Sequence, residues 1–290
     1  MKPAHILLAV MVAVAWGLNF VAIRLGLNDT PPILLAAARF GLAAIPALWM
    51  PRPDVPWSRL VATATLLFTL QFALLFAGMA QGMPPGLASV VCQTQALFTA
   101  VLAALFLSER PRAQQIFGLL IGIVGMLVLM SQVGLDGVTW PGMLLTLAAA
   151  LCWAGGNVLL RGTSASAVPL MVWLSVIAAP MLLAVSLVLE GPARDLQALT
   201  NMSWMTVAVI FYNGLPVTLF AYAAWGHLMK LYPASTVAPF SLMVPVFGAL
   251  SANLVFGERF GMDRLIGMAL IIVAVATIAI KLPARAAKSA

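Results

Sequence analysis

The chain has 290 residues, of which 63% are hydrophobic and only 8% charged, about a third of the roughly 25% charged share of soluble domains. That composition excludes a soluble globular protein. The formal net charge of +7 is scattered singly between apolar blocks, which argues against nucleic-acid binding and reads as loop asymmetry around a membrane.

A helix needs about 20 apolar residues to cross the hydrocarbon core. Cutting the chain at its charges, prolines and glycines predicts ten spans: 5–26, 31–50, 60–81, 86–108, 113–132, 138–160, 166–189, 203–228, 233–256 and 262–282. Residues 60–108 contain no Asp, Glu, Lys or Arg, and Gly82-Met83-Pro84-Pro85-Gly86 supplies the turn that divides them into two spans. Lys2 followed by a long apolar run, with no polar mature region behind it, reads as an uncleaved first span. Cys92 and Cys152 sit in apolar runs and match no metal-ligand spacing. They are expected to be core thiols, and neither a metal nor a cofactor is expected.

Lys and Arg favour cytoplasmic loops. With the N-terminus inside, Lys2, Arg52, Arg59, Arg110, Arg112, Arg161, Lys230, Lys281, Arg285 and Lys288 fall on the inner side, against Arg24, Arg194, Arg259 and Arg264 outside. Both termini are therefore expected in the cytoplasm.

The chain repeats itself. A shift of 137 residues pairs Trp16 with Trp153 and Arg24 with Arg161. A shift of 149 pairs Pro84 with Pro233, Glu109-Arg110 with Glu258-Arg259 and Gly118 with Gly267, and the difference of 12 residues fits extra length between Glu190 and Ser203. Residues 1–132 and 138–290 are thus expected to be two five-helix repeats. An odd number of spans makes the second enter from the opposite side, giving inverted halves with a site between them near the midplane.

On Trp16-Gly17-Leu18-Asn19-Phe20, Arg39-Phe40, Leu107-Ser108-Glu109-Arg110 and Phe256-Gly257-Glu258-Arg259, the chain resembles the EamA family of the drug/metabolite transporter superfamily, which includes amino-acid and metabolite exporters of the bacterial inner membrane. The resemblance implies an all-α integral membrane protein, ten helices as 5+5 inverted repeats around a central cavity, exporting amino acids or related amphiphiles. The family often has a proline where Ala96 stands here, whereas Pro245 is present in the second half. The halves are therefore expected to hinge unequally, with Pro239 and Pro245 as hinge candidates.

Arg39 is the one charged side chain well inside a predicted span, a placement costing about 2.5–3.5 kcal/mol on insertion scales. Either it faces the cavity and attracts a substrate carboxylate, or it snorkels outward or ties up backbone carbonyls of a neighbouring helix; its repeat equivalent, Val176, carries no charge. Trp16, Asn19 and Phe20 share one helical face, as do Trp153 and Asn157. An aromatic wall plus a carboxamide suits a zwitterion with an apolar side chain, and helix packing is the competing reading. Gln71, Gln95, Tyr222, His227 and Ser241 complete the candidates, with Gln93 and Asn213 as further polar groups in apolar segments. Gly118, Gly122 and Gly125 are expected to let helices approach closely, and the Glu-Arg pairs to be interfacial anchors or local ion pairs, with a gating contact as the alternative.

All eight carboxylates (Asp29, Asp54, Glu109, Asp136, Glu190, Asp195, Glu258, Asp263) lie in loops or at span ends, so no buried carboxylate relay is expected and uncoupled or exchange transport is favoured. No P-loop, His-Glu-x-x-His or Gly-x-Ser-x-Gly signature supports an ATPase or an intramembrane enzyme. A lipid or lipid-precursor translocase, an exporter of drugs or other metabolites, and a passive channel remain the alternatives. The expected partners are a small-molecule solute and the lipid bilayer, with no obligatory protein partner.

Overall fold

The computed structural model describes residues 1–107, 113–134, 137–161, 163, 165–232 and 237–279. Glu109-Arg110, Arg112, Asp136, Pro233, Lys281, Arg285 and Lys288 lie outside them. The described chain runs as helices α1 (Pro3–Gly26), α2 (Pro32–Leu48), α3 (Trp57–Ala80), α4 (Pro85–Phe106), α5 (Ala113–Met130), α6 (Trp140–Leu160), α7 (Ala167–Leu189), a short α8 (Pro192–Thr200), α9 (Trp204–Leu231), α10 (Phe240–Phe256) and α11 (Met262–Ala279). Seven of these are long and apolar enough to cross a membrane, namely α1, α3, α4, α5, α6, α7 and α9, and α2 and α10 are shorter apolar helices. The helices agree with the sequence-derived spans to within about three residues, the expected start of the ninth span at 233 lying outside the described residues. The extra length expected between Glu190 and Ser203 is the amphipathic α8.

Local chemistry places the ends. α1, α2, α4, α6 and α8 each begin with a proline in the first turn, where its missing N–H costs nothing and its fixed φ suits the helix. Gly257, at φ +65°, ends α10 in the left-handed conformation that a glycine C-cap allows.

α5 lies along α11, α2 along α7, α1 along α10, and α6 is clasped by α3 and α4. In lipid such contacts depend on close packing, and glycines provide it. A Cβ on Gly17 would fall 2.6 Å from Phe247 Cβ and 2.9 Å from the Gly248 nitrogen, so α1 and α10 meet almost backbone to backbone. Gly118 and Gly125 face α11, as expected of a packing face, whereas Gly122 receives Leu97 of α4.

Four helices are irregular inside. α3 contains a π-helical stretch at Thr65–Leu70 and α9 one at Asn213–Phe220. α4 tightens to a 3₁₀ turn at Cys92–Thr94, and α10 opens with one at Ala238–Leu242 that includes Pro239. The α9 bulge contains Pro216, which lacks the N–H that a regular ladder would use. No proline accompanies the bulge in α3 or the break in α4.

Candidate functional site

A cavity of about 310 Å³ lies among α1, α2, α3, α4, α6, α7, α9 and α10, and the irregular turns border it. Trp16, Asn19, Phe20, Arg39, Gln71, Gln95, Trp153, Asn157, Tyr222 and Ser241 all line it; His227 does not. The His227 ring instead sits edge-on to His5, with centroids 6.0 Å apart, and His5 Nδ1 is 2.8 Å from the Tyr232 hydroxyl.

The π bulge of α9 explains much of the geometry. Widening a helix turn frees carbonyls from the i→i−4 ladder. The Asn213 carbonyl accepts the Thr218 hydroxyl at 2.8 Å, and the Val217 carbonyl accepts Trp16 Nε1 at 3.3 Å. The Thr218 hydroxyl in turn accepts Arg39 Nε at 3.1 Å. One irregular segment thus fixes both the indole of α1 and the guanidinium of α2.

Arg39 is 2% exposed. Its guanidinium carbon stands 4.3 Å from the Phe72 ring centroid and 5.1 Å from that of Phe40, and both rings offer their electron-rich faces to a cation. Its Nη1 is buried with no hydrogen-bond partner, as is Asn19 Oδ1 on α1.

The other walls are aromatic and amide. The Trp16 ring is 5.3 Å from both Tyr222 and Trp225. Asn157 Nδ2 donates to Gln95 Oε1 at 2.8 Å, and Gln93 Nε2 to the Ser241 carbonyl at 3.2 Å. The Trp16 and Trp153 faces share the cavity, but Trp16 packs on α9 while Asn157 bonds to α4. Trp225, Thr218 and Phe72 escaped the sequence reading. Trp225 follows Tyr222 by three residues and so shares its helical face, a signal that was available. Cys92, expected as a core thiol, is 2% exposed and also borders the cavity.

The two ends of the bundle differ. At the end where the chain begins, cavity residues such as Asn157, Leu160 and Trp225 are partly exposed. Toward the other end Asn19, Leu75 and Ser89 are buried, and carboxylates fasten the helices. Glu190, after α7, accepts the N–H groups of Ile33 and Leu34 at 2.9 Å each and the Ser186 hydroxyl at 2.6 Å. Glu258, after α10, accepts the Gly86 N–H at 3.0 Å. Both cap helix N-termini, α2 and α4, where unsatisfied N–H groups and the helix dipole favour an anion. Glu258, expected as an interfacial anchor or local ion pair with a gating contact as the alternative, lies at the span end and makes this contact across the chain. The orphan N–H groups of a proline-led helix start draw the carboxylate more strongly than an exposed arginine does. Burial pushes the Glu258 carboxyl up from its usual range, against the Gly86 and Leu87 N–H groups and the Arg264 cation, which draw it down.

The sequence carries the same message. The EamA-like transporter family model matches twice, over residues 4–131 and 140–280. A relative in Escherichia coli K12 described as a "Probable amino-acid metabolite efflux pump" is 38% identical over 272 residues, 91% of each chain. Its counterpart in Salmonella typhimurium is 40% identical over the same length and coverage. A solved structure described only as "Crystal structure of protein" superposes with a TM-score of 0.62 over 96% of each chain at 21% identity, a likeness of fold alone. These relatives are named for transport and not for catalysis, and the chain belongs to the EamA-like transporter family.

Proposed function

We propose that the protein is a secondary transporter that exports small amphiphilic metabolites, amino acids first among them, across the bacterial cytoplasmic membrane. The observation that carries the reading is the cavity: it joins an indole and tyrosine wall, amide groups and a buried guanidinium at the irregular turns of four helices. Discontinuous helices around a central site are a recurring device of carriers. Ten spans arranged as inverted halves, residues 1–132 and 138–290, fit the double family match and the helix pairing. The relatives' names support efflux of amino-acid metabolites.

With both termini in the cytoplasm, the partly exposed end of the cavity is the loading side. The end fastened by Glu190 and Glu258 is the external seal. Rocking of the halves about the π and 3₁₀ turns releases that seal and closes the inner mouth. None of the described cavity residues is a carboxylate, which favours exchange or uncoupled flux over proton coupling.

The test is counterflow in proteoliposomes loaded with unlabelled amino acids, following labelled ones with and without a pH gradient. Saturable exchange indifferent to the gradient is the expected result. Strict gradient dependence overturns the uncoupled mechanism, lipid movement without solute exchange favours a translocase, and ohmic current favours a channel.

A further inference from the structure

Among its described lining residues the cavity holds a single charged side chain, Arg39, surrounded by amides, hydroxyls, a thiol, aromatic rings and aliphatic groups. A guanidinium stays protonated in a protein, so burial cannot be relieved by losing the charge. The ring faces of Phe72 and Phe40 and the Thr218 hydroxyl satisfy part of it. Nη1 is left buried without an acceptor, in a side chain that is 2% exposed. A buried cation with an unsatisfied donor and no counter-carboxylate is a half-built ion pair, and its missing half has to arrive from outside.

We infer that Arg39 makes this cavity a charge filter: it admits solutes that bring a carboxylate and carry net charge zero or minus one, and rejects net cations. This deepens the exporter reading and rests on it. The planar fork of Arg39 matches a carboxylate in two parallel hydrogen bonds. In a low-dielectric cavity the same charge repels an ammonium that arrives without a carboxylate. A zwitterion passes because its carboxylate neutralises Arg39 while its ammonium finds an acceptor. Asn19 Oδ1, the cavity's buried oxygen without a donor, has the complementary sense. The apolar part then lies against Trp16, Tyr222 and Trp225. Basic amino acids and polyamines are excluded by charge rather than by size.

A matched panel tests it. Leucine, N-acetylleucine and leucinamide share a side chain and differ in net charge, and counterflow compares them directly. Leucinamide is expected to exchange about tenfold more slowly than leucine, or worse, while N-acetylleucine exchanges. Arg39→Gln is expected to narrow the gap to about threefold, and Arg39→Lys to keep the ranking with weaker binding, because it keeps the charge and loses the fork. A readout independent of flux is the tryptophan fluorescence of the purified wild-type protein, since Trp16, Trp153 and Trp225 line the cavity. Isovalerate is expected to bind about tenfold more tightly than isoamylamine. Preferential isovalerate binding without any amino-acid flux would sink the amino-acid exporter reading and leave the carboxylate site standing. Leucinamide exchanging as fast as leucine, isoamylamine binding as tightly as isovalerate, or no isovalerate binding overturns the filter.

Discussion

Residues 1–132 and 138–290, proposed as repeats, share a pattern of irregular turns among their described residues and differ in chemistry. A shift of 149 residues carries Ala113–Met130 onto Met262–Ala279, the π stretch of α3 onto that of α9 within a residue at either end, and the 3₁₀ turn of α4 to within three residues of the one that opens α10. The side chains do not follow. Arg39 corresponds to Val176, and Trp16-Gly17 to Trp153-Ala154. Both carboxylate caps come from the second half and hold helices of the first. What repeats among the described residues is the set of irregular turns, and what does not repeat is the side-chain chemistry around the cavity and at the end fastened by Glu190 and Glu258. On the carrier reading proposed above, halves related by a pseudo-two-fold axis exchange roles between the two conformations, whereas the solute has no such symmetry.

The largest effect is expected where the halves differ in volume. Gly17 packs against the α10 backbone with no room for a methyl, whereas its counterpart Ala154 is accommodated at 0% exposure. Gly17→Leu should destabilise by about 3 kcal/mol or more, read as a collapse of the thermal transition of the detergent-solubilised protein. A variant that melts with the wild type would show that α1 and α10 do not approach as described.

Next in size is the cap on α2. Glu190→Ala strips an acceptor from two backbone N–H groups, while the Ser186 hydroxyl keeps Asp195 Oδ2 at 2.8 Å, a loss of about 2 kcal/mol. If the contact also seals the external end, Ser89→Cys in that background should become labelled by a membrane-impermeant reagent from outside, faster than Ser89→Cys alone. Equal labelling would leave Glu190 a structural cap only.

The equivalent threonines of the two π stretches offer an internal control. Thr218 holds Arg39 and the Asn213 carbonyl, whereas Thr69 reaches only the Met181 sulfur, at 3.9 Å. Thr218→Val should cost about 1–2 kcal/mol and slow counterflow severalfold, and Thr69→Val about 0.5 kcal/mol or less, since sulfur is a weak acceptor. Matching losses would mean that the bulges act as backbone alone and that Arg39 does not depend on its hydroxyl.

Much of this was legible in the sequence because lipid enforces it. Spans follow from apolar length, and the turn at Gly82–Gly86 follows from its glycines and prolines. Most cavity candidates were legible too, because polar residues within spans avoid lipid. The irregular turns were not. Pro216 marks one bulge, but Thr65–Leu70 contains no proline or glycine and packs against α6 and α7. The partner of Glu258 was not legible for a related reason: a charge at a span end does not announce that the fold brings it to the start of α4, 172 residues away in the chain.

The smallest effect concerns pH at that cap, and its sign sets Glu258 apart from an ordinary acidic cap. A carboxyl whose value is raised in the folded protein binds its proton more tightly there than in the unfolded chain. Glu258 should therefore contribute stability as the pH falls through its raised value, complete below the reference of 4.5 and lost again on return to neutrality. Glu258→Gln keeps one carbonyl for the Gly86 N–H and removes the cost of burying the charge. At neutral pH it should melt within about 0.5 kcal/mol of the wild type. Between neutral pH and 4.5 the wild type should gain stability relative to the variant, so the two melting curves against pH should converge or cross. If the wild type instead loses stability relative to Glu258→Gln on acidification, the Gly86 and Leu87 N–H groups and Arg264 outweigh burial at this end. The contact would then be held by charge rather than by a hydrogen bond that an amide can replace.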